Sequence, residues 1–413
     1  MTDFYTFVNQ QEKELAGYFT KAEEIAEFNQ LKVLNAMQNN QLSEHHFAGT
    51  TGYGYDDLGR EALEGIYAKV FKAESALVRP QMVSGTHALA CALFGNLLPG
   101  DTLLSVTGPP YDTLHGVIGI RPQPGSLAEY GINYIQVDLT PEGKFDYDKI
   151  AEAIEKHKPI KMAAIQRSKG YAWRPSFTVS EIGELINFIK NIDESIICMV
   201  DNCYGEFVER TEPVEVKADM AVGSLIKNPG GGLAPCGGYI VGKESYVKNS
   251  ANRLTAPGLG KKVGPTLGLT AALLQGLFLA PQVVEGSVRG AILAAAVFDK
   301  LGFEVLPGPK DPRADIVQAI KLKSEEKVLA FCRGIQKAAP VDSFVTPEGA
   351  PMPGYERKVV MAAGAFIQGS SIELSADAPL VPPYIVFMQG ALTRYHAKIG
   401  IVSALKELME GQA

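Results

Sequence analysis

Short apolar runs recur at positions 76–78, 102–106, 134–137, 162–165, 196–200, 220–226 and 238–241, and helix-length stretches such as 147–156 and 180–190 separate most of them. Strands that alternate with helices predict an α/β fold with a mainly parallel sheet covered on both faces. Sheets of that kind take ligands at the carboxyl ends of their strands. The chain therefore has one edge on which polar residues at strand ends carry unusual weight.

Two runs deliver such residues. The run at 196–200 ends in Asp201-Asn202, and the run at 220–226 ends in Lys227, followed by Asn228-Pro229-Gly230-Gly231-Gly232. Either residue alone is commonly a solvated turn. Together they offer a carboxylate and an amine to one ligand, and pyridoxal phosphate requires that pair: a lysine for the Schiff base, and an acid that keeps the pyridine nitrogen protonated. Ser224 precedes Lys227 by three residues, so strand periodicity puts the two on opposite faces unless the chain is already turning there. If it turns, the Ser224 hydroxyl can reach a phosphate.

Val200-Asp201-Asn202-Cys203-Tyr204, the segment from Gly223 to Gly232, and Gln166-Arg167-Ser168-Lys169-Gly170-Tyr171-Ala172-Trp173-Arg174-Pro175 resemble the methionine gamma-lyase-related proteins, often labelled aluminium-resistance proteins. The resemblance runs from about Tyr53 to the C-terminus. It implies a fold type I pyridoxal-phosphate enzyme with a smaller α+β C-terminal domain, acting as a carbon–sulfur lyase on a sulfur-containing amino acid. Other reactions on the same scaffold (aminotransferase, racemase, decarboxylase) and a non-catalytic cofactor-binding role in stress or regulation stay open, because the anchor residues specify the cofactor and not the reaction.

The same resemblance assigns further residues. Ser84-Gly85-Thr86 follows an apolar run and opens a helix-like stretch, where a helix N-terminus with glycine and hydroxyls suits a phosphate. Tyr111, in Gly108-Pro109-Pro110-Tyr111, is placed to stack on the cofactor ring and to assist departure of the thiol. Tyr53 and Tyr55 lie where relatives lend a segment to the neighbouring subunit, which implies a homodimer or homotetramer with shared sites; the residue two after Tyr53 is Tyr55, and the nearest arginine is Arg60. By position after the run ending at Ile165, and not through the resemblance, Arg167 and Arg174 are candidates for meeting the substrate carboxylate or the pyridine O3′; an arginine suits a carboxylate because its fork gives two parallel hydrogen bonds. The arginine that serves this purpose in relatives has no clear match around Ser370-Ser371-Ile372-Glu373-Leu374-Ser375. Cys203 reads as packing.

Composition agrees with an enzyme of this kind. A chain of 413 residues exceeds one core, and the texture suggests an N-terminal helix and loop arm over 1–60, a large domain over 61–323 and a small one over 324–413. The net charge of −7 disfavours a nucleic-acid partner. Five cysteines without a C-x-x-C spacing, no cationic and apolar leader, and no run of 18 apolar residues point to a cytoplasmic protein without a membrane span. The histidines, His45-His46 included, lack the spacing of a metal site, so no metal is expected.

Overall fold

The computed structural model describes residues 2–410. Its larger sheet contains β1 (Ser75–Arg79), β2 (Thr102–Ser105), β3 (Asn133–Gln136), β4 (Met162–Gln166), β5 (Ile197–Asp201), β6 (Met220–Ser224) and β7 (Gly238–Gly242), in the order β1-β7-β6-β5-β4-β2-β3. The pairings from β6 across to β3 are all parallel, whereas β7 runs antiparallel to both of its neighbours. Each apolar run of the sequence is one of these strands. The central ones are buried along their length, and the edge strand β3, Asn-Tyr-Ile-Gln, is the polar one.

Strand periodicity sorts the residues of β5 and β6 onto two layers. Ile197 and Met199 of β5 and Met220 and Val222 of β6 pack with Leu89 and Leu93 of the helix Gly85–Asn96. Cys198 and Val200 of β5 pack on the opposite face with Ile182, Leu185 and Ile186 of the helix Val179–Ile192. That second helix starts on a reciprocal cap between Thr178 and Glu181.

A second sheet contains β8 (Glu304–Leu306), β9 (Gln318–Lys321), β10 (Val359–Ala362), β11 (Ser375–Pro379) and β12 (Ile385–Gln389), ordered β10-β11-β12-β9-β8 and antiparallel throughout. Two of its strands, β8 and β9, precede the residue 324 boundary that the sequence texture suggests, because β9 pairs with β12 far along the chain. One face of this sheet packs Val360, Ala376, Ala378, Val386 and Met388 into the main core with residues of the helices Glu325–Lys337 and Arg394–Glu410.

The helix Thr270–Lys300 runs through that core. Among the described residues it is the one helix long and apolar enough to cross a membrane, yet here most of its apolar length is buried within the fold, beside the helix Ala16–Asn39. The N-terminal helical stretch is two helices, Thr2–Glu14 and Ala16–Asn39, broken at Leu15, whose N–H bonds to Glu12 at 3.2 Å in a tighter turn. Both pack on the body of the protein, the first against the helices Thr270–Lys300 and Arg394–Glu410 and the second against Thr270–Lys300.

Candidate active site at the strand ends

Asp201 and Ser224 close β5 and β6, and each has the parity of the residues that face the helix Gly85–Asn96. Both therefore look toward that helix's N-terminus. β6 ends at Ser224, earlier than the apolar run, and the chain turns through Leu225 and Ile226 into a short 3₁₀ turn, Asn228–Gly230. The turn brings Lys227 back to the Ser224 side. Ser84, Gly85, Thr86, Tyr111, Asp201, Ser224 and Lys227 all line one cavity of about 540 Å³.

Local bonds fix the lysine. Asn228 Nδ2 donates to the carbonyls of Tyr204 at 3.0 Å and Glu206 at 2.9 Å, and Lys227 Nζ sits 3.9 Å from the centre of the Tyr204 ring. The glycines behind it answer to close packing. A Cβ on Gly231 would overlap the carbonyl oxygen of Gly276 in the helix Thr270–Lys300, and one on Gly276 would overlap Gly230 O. Gly231 also has φ +53°, in the left-handed region. Burial disfavours the Lys227 ammonium, but Cys203, Tyr204, Asp201 and Glu206 around it outweigh burial and hold it protonated. Burial pushes the Asp201 carboxyl above its usual range, opposed by Lys227 and by a hydrogen bond from Cys203 N at 3.1 Å.

An anion cradle lies beside this pair. Ser84 caps the helix Gly85–Asn96, its Oγ accepting from His87 N at 3.1 Å, so the Gly85 and Thr86 N–H groups stand at the open end of the helix. A Cβ on Gly85 would come within 3.2 Å of Ser224 Cβ and 3.4 Å of Cys203 Sγ, so the helix end lies directly against β6. Ser224 Oγ is buried and has no hydrogen-bond partner. A hydroxyl left in that state next to a helix N-terminus is suited to an anionic ligand oxygen.

Tyr111 forms the side of the cavity. Its OH lies 2.7 Å from that of Tyr355, and both rings also line an outer cavity of about 460 Å³ with Pro109, Pro110, Tyr171, Trp173 and Phe387. The two phenols thus wall the inner space from the outer one. The ceiling is the second face of the smaller sheet, where Met361, Ser375, Asp377 and Gln389 line the inner cavity.

Four candidates lie elsewhere. Tyr53 and Tyr55 stack on each other with ring centres 5.3 Å apart and are 66% and 59% exposed, outside the cavity of their own chain. Arg60 anchors their loop, donating to Gly54 O at 2.6 Å and Gly264 O at 3.0 Å. Arg167 is fully buried beneath the site and is bound to Asn202 Oδ1 at 2.8 Å and Glu209 Oε1 at 2.7 Å. Arg174 spends its guanidinium on the carbonyls of Pro175, Gln166 and Ser168. Neither arginine lines the cavity, and the terminal nitrogens of both are bonded to the framework.

Sequence reasoning missed Tyr204, Tyr355, Asp377 and Gln389. Tyr204 lies three residues past Asp201 and has φ +74°, a conformation rare for a bulky residue and characteristic of constrained sites. Its OH donates to Ser371 Oγ at 3.2 Å and so joins the segment after β5 to the loop before β11. Cys203 lines the cavity as well as packing.

Residues 4–409 match the family described as methionine gamma-lyase. The uncharacterized protein YnbB of Bacillus subtilis (strain 168) is 52% identical over 403 residues, covering 97% of this chain and 95% of that one. Among solved structures, the carbon-sulfur lyase involved in aluminium resistance from Clostridium novyi NT is 49% identical, with a TM-score of 0.94 and coverage of 98% of this chain and 96% of that one. Cystathionine gamma synthase from Xanthomonas oryzae pv. oryzae, at 16% identity and a TM-score of 0.59, covers 85% of this chain and 86% of its own and shows the same fold type I architecture. The likeness begins at residue 4, well before Tyr53, so the two N-terminal helices share in it. Over nearly its full length, the chain belongs to the methionine gamma-lyase family.

Proposed function

We propose that this chain is a pyridoxal-phosphate-dependent carbon–sulfur lyase acting on a sulfur-containing amino acid. The observation that carries the reading is the convergence of the Lys227 amine, the Asp201 carboxylate and the unpartnered Ser224 hydroxyl on one cavity beside a helix N-terminus. The residues present fit the cofactor: an amine for its aldehyde, a buried acid for its ring nitrogen, and an anion cradle for its phosphate. When bound, pyridoxal phosphate supplies an electron sink for the charge left at the substrate Cα.

The chain's own groups do the rest. Asp201 would keep a proton on the ring nitrogen, and the N–H groups of Gly85 and Thr86 with Ser224 Oγ would hold the phosphate. Lys227, with its amine unprotonated, would take the proton from the substrate Cα. Tyr111, bonded to Tyr355, stands at the cavity wall as a proton donor to the departing sulfur. The homologous carbon-sulfur lyase from Clostridium novyi NT supports this choice of reaction among those open to the scaffold.

A second reading, a cofactor-binding protein without turnover, draws on the burial of Arg167 and Arg174 away from the cavity. One experiment separates the two. Borohydride reduction of the purified yellow protein should place the pyridoxyl group on Lys227 under either reading, and only a lyase then releases thiol and ammonia from a panel of sulfur-containing amino acids. Label on any other lysine ends both.

A further inference from the structure

β11 has two different faces. Ala376 and Ala378 fill the core beneath it, while Ser375 and Asp377 look into the cavity. Asp377 Oδ2 accepts from Gln389 Nε2 at 2.9 Å, and the same nitrogen reaches Ser375 Oγ at 3.3 Å. Among the described residues, Gln389 is the one side chain that hydrogen-bonds to this carboxylate, and none forms an ion pair with it. The orientation is set by the sheet, since Gln389 lies opposite Ser375 on β12.

The charges around the cavity are unbalanced. Asp201 and Asp377 line it with Lys227, the one cationic side chain to do so among the described residues. Under the lyase reading, on which this inference rests, the Lys227 amine serves the cofactor and Asp201 serves the ring nitrogen. Asp377 must then find its complement on the substrate. Ser370 Oγ, buried without a hydrogen-bond partner, opens on the same cavity and offers that group a second polar contact. Met361 on β10 and Tyr355 provide apolar walls for the intervening chain. A carboxylate brought to this ceiling meets like charge, whereas an ammonium meets its opposite.

We propose that Asp377, oriented by Gln389, is a specificity-determining residue that selects sulfur-containing amino acids bearing a second ammonium group at the end remote from the reacting amine. Binding and cleavage test it separately. In the first arm, calorimetry of the cofactor-loaded protein compares lysine with its neutral analogue norleucine, neither of which carries a sulfur leaving group. The wild type should prefer lysine by about tenfold or more, as a hydrogen bond to a charged group predicts. Asp377→Asn should bring the ratio close to one, and Asp377→Glu, which keeps the charge, should retain a preference. In the second arm, thiol release from S-(2-aminoethyl)cysteine and S-propylcysteine should show the same bias in kcat/KM. The binding arm reads Asp377 whether or not thiol is released, so a failure of the lyase reading appears only in the second arm. No preference for lysine in the wild type, or a preference that survives in Asp377→Asn, overturns the proposal.

Discussion

The hydroxyls of Tyr111 and Tyr355 meet at 2.7 Å, joining a residue just beyond β2 of the larger sheet to one in the loop before β10 of the smaller. Burial holds the Tyr111 phenol well above its ordinary range, and the neighbouring tyrosines push it the same way. It stays protonated through neutral pH and can act only as a donor of that proton. Tyr111→Phe should lower kcat by roughly a hundredfold or more with a smaller change in KM. Tyr355→Phe should cost less, because it removes the partner and leaves the donor. Steady-state kinetics on both variants check the order; an unchanged kcat in Tyr111→Phe removes it from the chemistry.

Asp201→Asn should keep the fold and lose turnover. The amide still accepts from Cys203 N, but it cannot hold the ring nitrogen protonated, and a loss of roughly tenfold to a thousandfold follows from a partner of this kind. Circular dichroism and cofactor absorbance should be near normal while kcat falls. Near-normal turnover would show that another group protonates the ring.

The crossing of the turn after Lys227 with the helix Thr270–Lys300 is a backbone contact that admits no methyl group. Gly231→Ala and Gly276→Ala should each lower the unfolding free energy by about 1–3 kcal/mol through overpacking. Cofactor retention should fall with stability, since the displaced segment carries the lysine. Urea titrations and the absorbance of the dialysed protein measure the two effects; a stable variant with full cofactor content would contradict the contact.

Burial pushes Asp377 up to about 6 from an ordinary 3.8. Between those two values the folded chain holds more protons than the unfolded one, so this carboxyl makes stability fall as pH rises through about 4 to 6. Asp377→Asn removes the dependence. Of the stability that the cofactor-free wild type loses between about pH 4 and pH 7, the variant should be spared about 1–3 kcal/mol. Denaturant titrations at the two pH values read the difference directly, and Glu206, raised to about 8 by burial, contributes a slope of the same sign in both proteins.

The exposed stack of Tyr53 and Tyr55 is expected to complete the site of a second subunit. Mixing inactive Lys227→Ala with an inactive Tyr53→Phe/Tyr55→Phe variant under subunit exchange should recover activity, because some hybrids combine an intact lysine site with an intact borrowed loop. Exchange without recovery, or a fully active monomer in sedimentation, would refute shared sites.

Much of the larger sheet was readable from the sequence because parallel strands buried on both faces leave uninterrupted apolar runs, and because ligand-facing residues come last in them. Asp201 and Lys227 are visible for that reason. The smaller sheet hides its role: Ser-Ala-Asp-Ala-Pro reads as a polar surface strand until the core is known to lie under its alanines. Tyr355, between Gly354 and Glu356 in a loop rich in proline and glycine, carries the signature of a surface turn. Arg167 looked available because its partners Glu209 and Glu212 lie some forty residues further on, and nothing local announces them.

The alternation along β11 and β12 separates two kinds of mutational freedom. Ala376, Ala378, Val386 and Met388 answer to the core, whereas Ser375, Asp377 and Gln389 answer to whatever occupies the cavity. A lineage can therefore exchange the ceiling residues while the scaffold that holds Lys227 and Asp201 keeps its packing. Substrate preference in such a fold can drift by single substitutions at little cost to foldability, and two relatives with the same anchors need not share a substrate.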